Sequence, residues 1–296
     1  MTNPLAYPVP SLRALACARC GVEFKCTLSK DCWCGEEMAR LPLPTFGTGF
    51  ADCLCRDCLR AVAVLASLER HTISAVLLDM DGTLLDTERV YRTSLCSALA
   101  DLGYGDGTAI AHAMIGIPAA ECEIMLRDHY GVGFRIEDVR AAYEVHRDGM
   151  LRDGMPLKPG TLELVAALRE FDCPAAIVTS STRRNAEQHL ALAGIRHHFD
   201  TVLTRDDVAQ GKPSPDIYLL AAQRLGFAPK VCLAVEDSRP GIEAAHHAGA
   251  IPIMVPDIVP PTEATRAKCA AVLPDLHAVL TMLRDKGAFD ASRRRN

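Results

Sequence analysis

Apolar positions along the chain fall into two rhythms. Short unbroken runs occur at Val76-Leu77-Leu78, Ala175-Ala-Ile-Val178, Thr201-Val-Leu-Thr204, Val231-Cys-Leu-Ala-Val235 and Ile251-Pro-Ile-Met-Val255. Runs this short, apolar at nearly every position, predict strands buried on both faces. Between them the spacing becomes helical: residues 161–170, 183–193, a stretch starting at Pro215, 240–248 and 276–283. This alternation predicts an α/β fold with a Rossmann-like parallel sheet. Pro252 interrupts the fifth run, and a proline inside a strand predicts a sheet edge. From residue 88 to 155 only helical spacing is found: Tyr91, Leu95, Leu99 and Leu102, then Ile124 to Leu126, then Val139 to Met150. Glycines 103, 105, 107, 131 and 133 separate these stretches, so an all-helical insert is expected after the first strand.

The ends of the runs are polar in a particular way. The first ends in Asp79-Met-Asp81-Gly82-Thr83. Strand residues alternate faces, so Asp79 and Asp81 point the same way. Two carboxylates at the end of a buried strand are costly unless positive charge sits near them. Gly82 allows a tight turn there. The second run ends in Thr179-Ser180-Ser181, and the fourth in Glu236-Asp237-Ser238. Between them, two prolines fix the loop Gly211-Lys212-Pro213-Ser214-Pro215-Asp216. Ligands of open parallel sheets bind beyond the carboxyl ends of strands.

Asp79-Met-Asp81-Gly-Thr83, Thr179, Gly211-Lys212-Pro-Ser-Pro-Asp216 and Glu236-Asp237 follow one another as the four signatures of the haloacid dehalogenase superfamily do. The chain resembles that superfamily over about residues 73–283, in its phosphatase form. The helical insert is similar to the cap of the phosphoglycolate-phosphatase and beta-phosphoglucomutase branch. The resemblance implies that Asp79 attacks phosphorus and that Asp81 protonates the leaving oxygen, then activates water. One carboxylate must stay ionised while the other holds a proton. It further implies that Thr179 bonds a phosphoryl oxygen with help from the Ser180 amide. Lys212 would neutralise the carboxylates, and Mg2+ would be held by Asp79, the Asp81 carbonyl, Glu236 and Asp237. Cap residues Tyr91, Arg92, His112 and the Gly116 loop are expected to select the substrate. Tyr91 stands where mutases of this branch carry a histidine, and Gly116-Ile-Pro-Ala-Ala120 stands where they carry an arginine. The expected activity is therefore hydrolysis of a small phosphomonoester through an aspartyl-phosphate. A phosphosugar mutase, or an interaction protein with weak phosphatase activity, is the alternative.

The amino-terminal segment has another character. Of 13 cysteines, eight lie there: Cys17, Cys20, Cys26, Cys32, Cys34, Cys53, Cys55 and Cys58. Two C-x-x-C pairs, Cys17/Cys20 and Cys55/Cys58, have the spacing with which two sulfurs close on a tetrahedral ion. Eight thiolates suffice for two structural Zn2+ sites, whose binding would supply folding energy that a segment poor in large apolar residues lacks. The segment resembles the cysteine-rich CWC family at Cys17-x-x-Cys20-Gly21, Phe24-x-Cys26, Cys32-Trp33-Cys34 and Cys53-Leu-Cys55-x-x-Cys58-Leu59. The expected organisation is a zinc module over residues 1–70 and a hydrolase over 71–296. Within the hydrolase the core takes 71–87 and 156–296, and the helical cap 88–155.

Composition narrows the partners. Apolar residues make up 49% of the 296, ample for a core, and the formal net charge of -5 disfavours nucleic acid. Residues 1–70 hold eight basic against seven acidic side chains, and thiolate-bound zinc would turn the balance negative. A protein contact suits that module better than a nucleic acid. No run approaches the ~18 apolar residues of a membrane span. No basic start followed by an apolar core marks a secretion signal. A cytoplasmic, reducing compartment is expected, where clustered cysteines serve metals. Elemental analysis of the purified chain should find about two Zn2+ per molecule; one or none removes the two-site arrangement.

Overall fold

The computed structural model of the chain describes residues 13–17, 22–26, 59, 73–115, 117 and 119–288. The chain divides into two units, residues 1–71 and 72–296. In the first, β1 (Arg13–Ala16) and β2 (Glu23–Cys26) pair antiparallel, with Arg13 opposite Cys26 and Ala16 opposite Glu23. The Cys17 amide donates to the Val22 carbonyl at 2.9 Å, and Cys17 is buried. Cys17 and Cys26 thus belong to this hairpin. The other expected zinc ligands, Cys20, Cys32, Cys34, Cys53, Cys55 and Cys58, lie outside the described residues.

In the second unit β3 (Ala75–Leu78) is followed by four helices: α1 (Thr87–Asp101), α2 (Thr108–Ala113), α3 (Ala119–Tyr130) and α4 (Ile136–Met150). Then come α5 (Thr161–Glu170), β4 (Ala175–Val178), α6 (Arg183–Leu192), β5 (Thr201–Leu203) and α7 (Asp216–Leu225). The chain closes with β6 (Cys232–Glu236), α8 (Arg239–His247), β7 (Ile251–Met254), α9 (Glu263–Lys268), β8 (Ala271–Val272) and α10 (Leu276–Asp285).

The six strands form one parallel sheet in the order β5-β4-β3-β6-β7-β8. From β3 the chain works outward through β4 and β5, then returns to β6 and works outward the other way. The order therefore reverses between β3 and β6, and a cleft opens beyond the carboxyl ends of strands at such a reversal. The apolar runs are fully covered: every residue of β3 and β6 is buried. On one face Ala75, Leu77, Ala176, Val178 and Ala234 pack with Tyr218, Ala221 and Ala222 of α7 and with Ala244 and Ala245 of α8. The alanines let these helices lie close to the sheet.

Pro252 does not mark the edge. β7 pairs with β6 on one side, Ala234 opposite Pro252, and with the two-residue β8 on the other. The Pro252 carbonyl accepts from Ala270 at 2.8 Å, so its missing donor faces the short outer strand and the ladder to β6 survives. The four helices after β3 have a core of their own, including Leu95, Leu99, Ile110, Met114, Leu126, Phe134 and Val139. Tyr104, Tyr130 and Phe134 stack at its end, with ring centroids 4.9–5.2 Å apart. This is the all-helical insert that the spacing predicts.

Gly160, at φ +87°, turns the chain into α5; a Cβ there would lie 2.5 Å from the His277 nitrogen. Gly103 has a similar φ of +79° with nothing within 4 Å of such a Cβ. Gly103→Ala should cost about 1–2 kcal/mol for the left-handed backbone alone. Gly160→Ala should cost about 2–4 kcal/mol, because it also pushes α10 away. Urea unfolding reads the difference, and equal losses would show that α10 yields freely.

Candidate active site

Register brings the acids together. Leu78 of β3 pairs with Val235 of β6, and the Asp79 amide donates to the Val235 carbonyl at 3.0 Å. Asp79 therefore emerges beside Glu236. Lys212 enters from the loop before α7 and donates to Asp79 Oδ1 at 2.6 Å, Glu236 Oε1 at 2.5 Å and the Val178 carbonyl at 2.9 Å. The side chains of Lys212, Asp79 and Glu236 are 4%, 9% and 0% exposed, so this is a buried charge cluster rather than a surface ion pair. Removing one member of such a cluster costs about 3–5 kcal/mol, because a buried charge is left unpaired.

Glu236 is engaged on both oxygens. Oε1 also accepts from the Tyr218 hydroxyl at 2.7 Å, and Oε2 from the Ser238 hydroxyl at 2.9 Å and amide at 3.3 Å. Gly241, in the first turn of α8, leaves room for this: a Cβ there would collide with the Glu236 carboxylate. Gly82, at φ +79°, does the same for Asp237, whose carboxylate a Cβ would strike. Asp237 Oδ1 accepts from Thr83 at 3.3 Å. Asp79, Glu236 and Asp237 each present an oxygen, all within 4.8 Å of one another. Hard oxygen donors in that number suit a small divalent cation that keeps part of its water. Since Glu236 already serves Lys212, Tyr218 and Ser238, Asp79 and Asp237 are its freest ligands.

Asp81 stands one step beyond. Its Oδ2 accepts from the Ser181 hydroxyl at 2.7 Å and the Thr179 hydroxyl at 3.2 Å. Its Oδ1 faces Nδ1 of His189 on α6 at 3.7 Å. Near the same turn Lys158 holds Asp257 at 2.6 Å. Residues 73–249 match the family model of the haloacid dehalogenase-like hydrolases. The chain belongs to this family.

Curated relatives and solved structures agree. A bifunctional riboflavin kinase/FMN phosphatase of Arabidopsis thaliana is 31% identical over 186 residues, which is 62% of this chain but only 49% of that protein. The fructose-1-phosphate phosphatase of Escherichia coli (strain K12) is 34% identical over 186 residues, 60% of this chain and 93% of its own. A crystal structure of a haloacid dehalogenase family hydrolase from Deinococcus radiodurans R1, with bound phosphate and sodium, is 28% identical. It superposes with a TM-score of 0.63 over 73% of this chain and 97% of the other.

Not every expected residue of this hydrolase meets the cluster. Tyr91 packs against the cap core, its ring 5.8 Å from that of Tyr143. The Ser180 side chain is exposed, its expected role being that of its amide, and the Ser181 hydroxyl reaches Asp81. His112 is exposed on α2. Gly116 lies outside the described residues. Tyr218, Ser238, His189, Lys158 and Asp257 are added by the structure. Of these only Ser238 had a sequence signal, its place directly behind the two acids of β6.

The protein's own charges order the two aspartates against expectation. Burial, then the Glu236 and Asp81 charges, raise the Asp79 carboxyl from 3.8 to about 8 against the pull of Lys212. Burial and the neighbouring carboxylates push Asp237 up as well. Burial also raises Asp81, but His189, Ser181 and Thr179 outweigh it and leave that carboxyl below its usual value. Burial lowers Lys212, yet Asp79 and Glu236 prevail and hold its ammonium above the ordinary value. Three carboxylates facing one ammonium would, if all ionised, leave two negative charges uncompensated, the amount one divalent cation corrects.

A raised Asp79 favours the folded chain at low pH, and that contribution fades as pH climbs through about 8. A cation must displace the proton, so its binding strengthens over the same range. Mg2+ at a hundredfold excess over its Kd should raise Tm by about 5–10 °C. At one constant Mg2+ concentration the gain should be larger at pH 8.5 than at pH 6, because the Kd itself falls as the proton leaves Asp79. A thermal scan in which the gain is flat or falls with pH contradicts this charge balance.

Proposed function

We propose that this chain is a Mg2+-dependent phosphatase of small phosphomonoesters, working through an aspartyl-phosphate on Asp79. The observation that carries the reading is Lys212, held 2.6 Å from Asp79 and 2.5 Å from Glu236 at the reversal of the sheet. An ammonium there pulls the nucleophile toward its ionised form, short of what burial opposes, and meets the charge of an incoming phosphoryl group. With Oδ1 bound to Lys212, Oδ2 of Asp79 is the oxygen that attacks. A magnesium ion on Asp79, Asp237 and the Asp81 carbonyl, with Glu236 at its edge, would shield the approach of two anions. Asp81 gives its proton to the departing oxygen as the P–O bond breaks. It then takes one from the water that opens the phospho-aspartate. Thr179 and Ser181, whose hydroxyls reach Asp81, would receive a phosphoryl oxygen.

Support for the substrate class comes from the relatives. One of them is a fructose-1-phosphate phosphatase, and the Deinococcus structure holds phosphate. The helical cap, inserted directly after the carboxyl end of β3, would exclude water during transfer. Cytoplasmic residence fits the cysteine-rich composition, and no helix among the described residues is long and apolar enough to cross a membrane.

Purified protein with Mg2+ should release inorganic phosphate from members of a phosphomonoester panel that includes p-nitrophenyl phosphate and fructose 1-phosphate. Asp79→Asn should lower the rate by at least about 1,000-fold, as loss of a nucleophile does. Acid quench of the wild-type reaction should trap phosphate on Asp79. Conversion of glucose 1-phosphate to glucose 6-phosphate without free phosphate would instead make the chain a mutase.

A further inference from the structure

His189 lies outside the four signatures, yet it faces the reaction. It sits on the second turn and a half of α6, whose first turn is fixed by Thr182 accepting from the Asn185 amide at 3.3 Å. Helical side chains lean back toward the amino terminus of their helix. For α6 that direction leads to Ser181 and the end of β4, where Asp81 is tied. The Nδ1 atom of His189 is buried without a hydrogen-bond partner, 3.7 Å from Asp81 Oδ1. A buried ring nitrogen left without a partner costs about 1–3 kcal/mol whether it would donate or accept, so something must compensate for it or make use of it. Across the carboxylate, Oδ2 already takes the hydroxyls of Ser181 and Thr179. Asp81 is thus gripped on one oxygen and approached by an imidazole on the other.

We infer that His189 is a positioning residue for Asp81: its Nδ1–H closes onto Oδ1 and fixes the rotation of the carboxyl group during proton transfer. This rests on the phosphatase reading above. His189 neither gives nor takes the proton. In the first step the Asp79 Oδ2–P bond forms, the P–O bond to the leaving group breaks, and the Asp81 proton passes to the departing oxygen. When Ser181 or Thr179 turns to the phosphoryl group, one of the grips on Oδ2 is lost. The histidine contact then decides which oxygen of Asp81 looks at the leaving group.

Leaving-group chemistry separates this role from plain packing. In a covalent mechanism kcat/KM reports the steps up to phospho-enzyme formation. An aryl ester such as p-nitrophenyl phosphate expels a stable phenolate and needs little protonation; fructose 1-phosphate expels an alkoxide and needs a well-aimed acid. His189→Leu should lower kcat/KM for fructose 1-phosphate by roughly tenfold to a hundredfold, part of the usual contribution of a general acid. The aryl ester should lose less than about threefold. His189→Asn places an amide nitrogen where Nδ1 stood and should restore most of the alkyl rate. His189→Gln reaches further, places it elsewhere and should not. The Asn and Gln variants are both polar and similar in size, so their comparison stands even if the Leu variant folds poorly.

Equal losses on both esters, or no difference between Asn and Gln, overturn the inference and leave the phosphatase reading intact. Wild-type enzyme that cleaves the aryl ester but no alkyl phosphate of the panel has no working acid to be aimed, and this also overturns the inference; where another alkyl phosphate is the one cleaved, it takes the place of fructose 1-phosphate in the comparison. Wild-type enzyme with Mg2+ that cleaves neither overturns the phosphatase reading and this inference with it.

Discussion

The ammonium of Lys212 is what allows the ends of β3 and β6 to stand side by side. Their register sets Asp79 and Glu236 next to each other inside a protein interior, an arrangement that Coulomb repulsion would otherwise forbid. Lys212 spends all three of its donors there, on two carboxylates and the Val178 carbonyl at the end of β4. One side chain thereby joins three neighbouring strands at the point where the sheet reverses. The surroundings keep it in place: the Tyr218 ring lies beside it, with the ammonium 5.3 Å from its centroid, and the Tyr218 hydroxyl braces Glu236. Stability and chemistry therefore share one cluster, and a change made for one is felt by the other.

The surrounding fold serves this point by leaving space. Small residues recur where the cluster needs room. Gly82 yields to Asp237, Gly241 yields to Glu236, and the alanines of α7 and α8 let those helices settle against the sheet. The cap has its own apolar core and its own aromatic stack, so it does not depend on the sheet for its packing. A lid with an independent core can shift as a body over a rigid floor, as closure over a substrate requires.

Much of this was legible in the chain because the main acids are fixed by backbone position. Asp79, Asp81, Glu236 and Asp237 follow apolar runs, and a strand end is found by counting. Lys212 was readable from the prolines around it. Side chains that arrive from helix faces were not, because their reach depends on how each helix is turned against the sheet. Tyr218 reads as an ordinary core tyrosine and His189 as an ordinary helix residue. The Ser181 hydroxyl on Asp81 was not legible either, because the run marks where the strand ends and not which hydroxyl turns inward. β8 is two residues long, too short to form a pattern, and without it Pro252 read as an edge. Tyr91 is half-buried beside Tyr143, a contact that helical spacing alone does not reveal.

The order of the two aspartates bears most directly on mechanism. The chemistry wants Asp79 ionised and Asp81 protonated, whereas the protein's own groups push Asp79 up to about 8 and Asp81 down. Both departures point to charges that arrive from outside. A unit charge near 4 Å from a carboxylate at an effective dielectric of 20 is worth about 4 kcal/mol, or roughly 3 in pKa. A divalent cation beside Asp79 is more than enough to bring it below neutrality. A phosphate anion beside Asp81 acts in the opposite sense and favours its protonated form. In the proposed mechanism the metal would favour an ionised Asp79 and the substrate's own charge a protonated Asp81, so neither ligand alone would complete the pair.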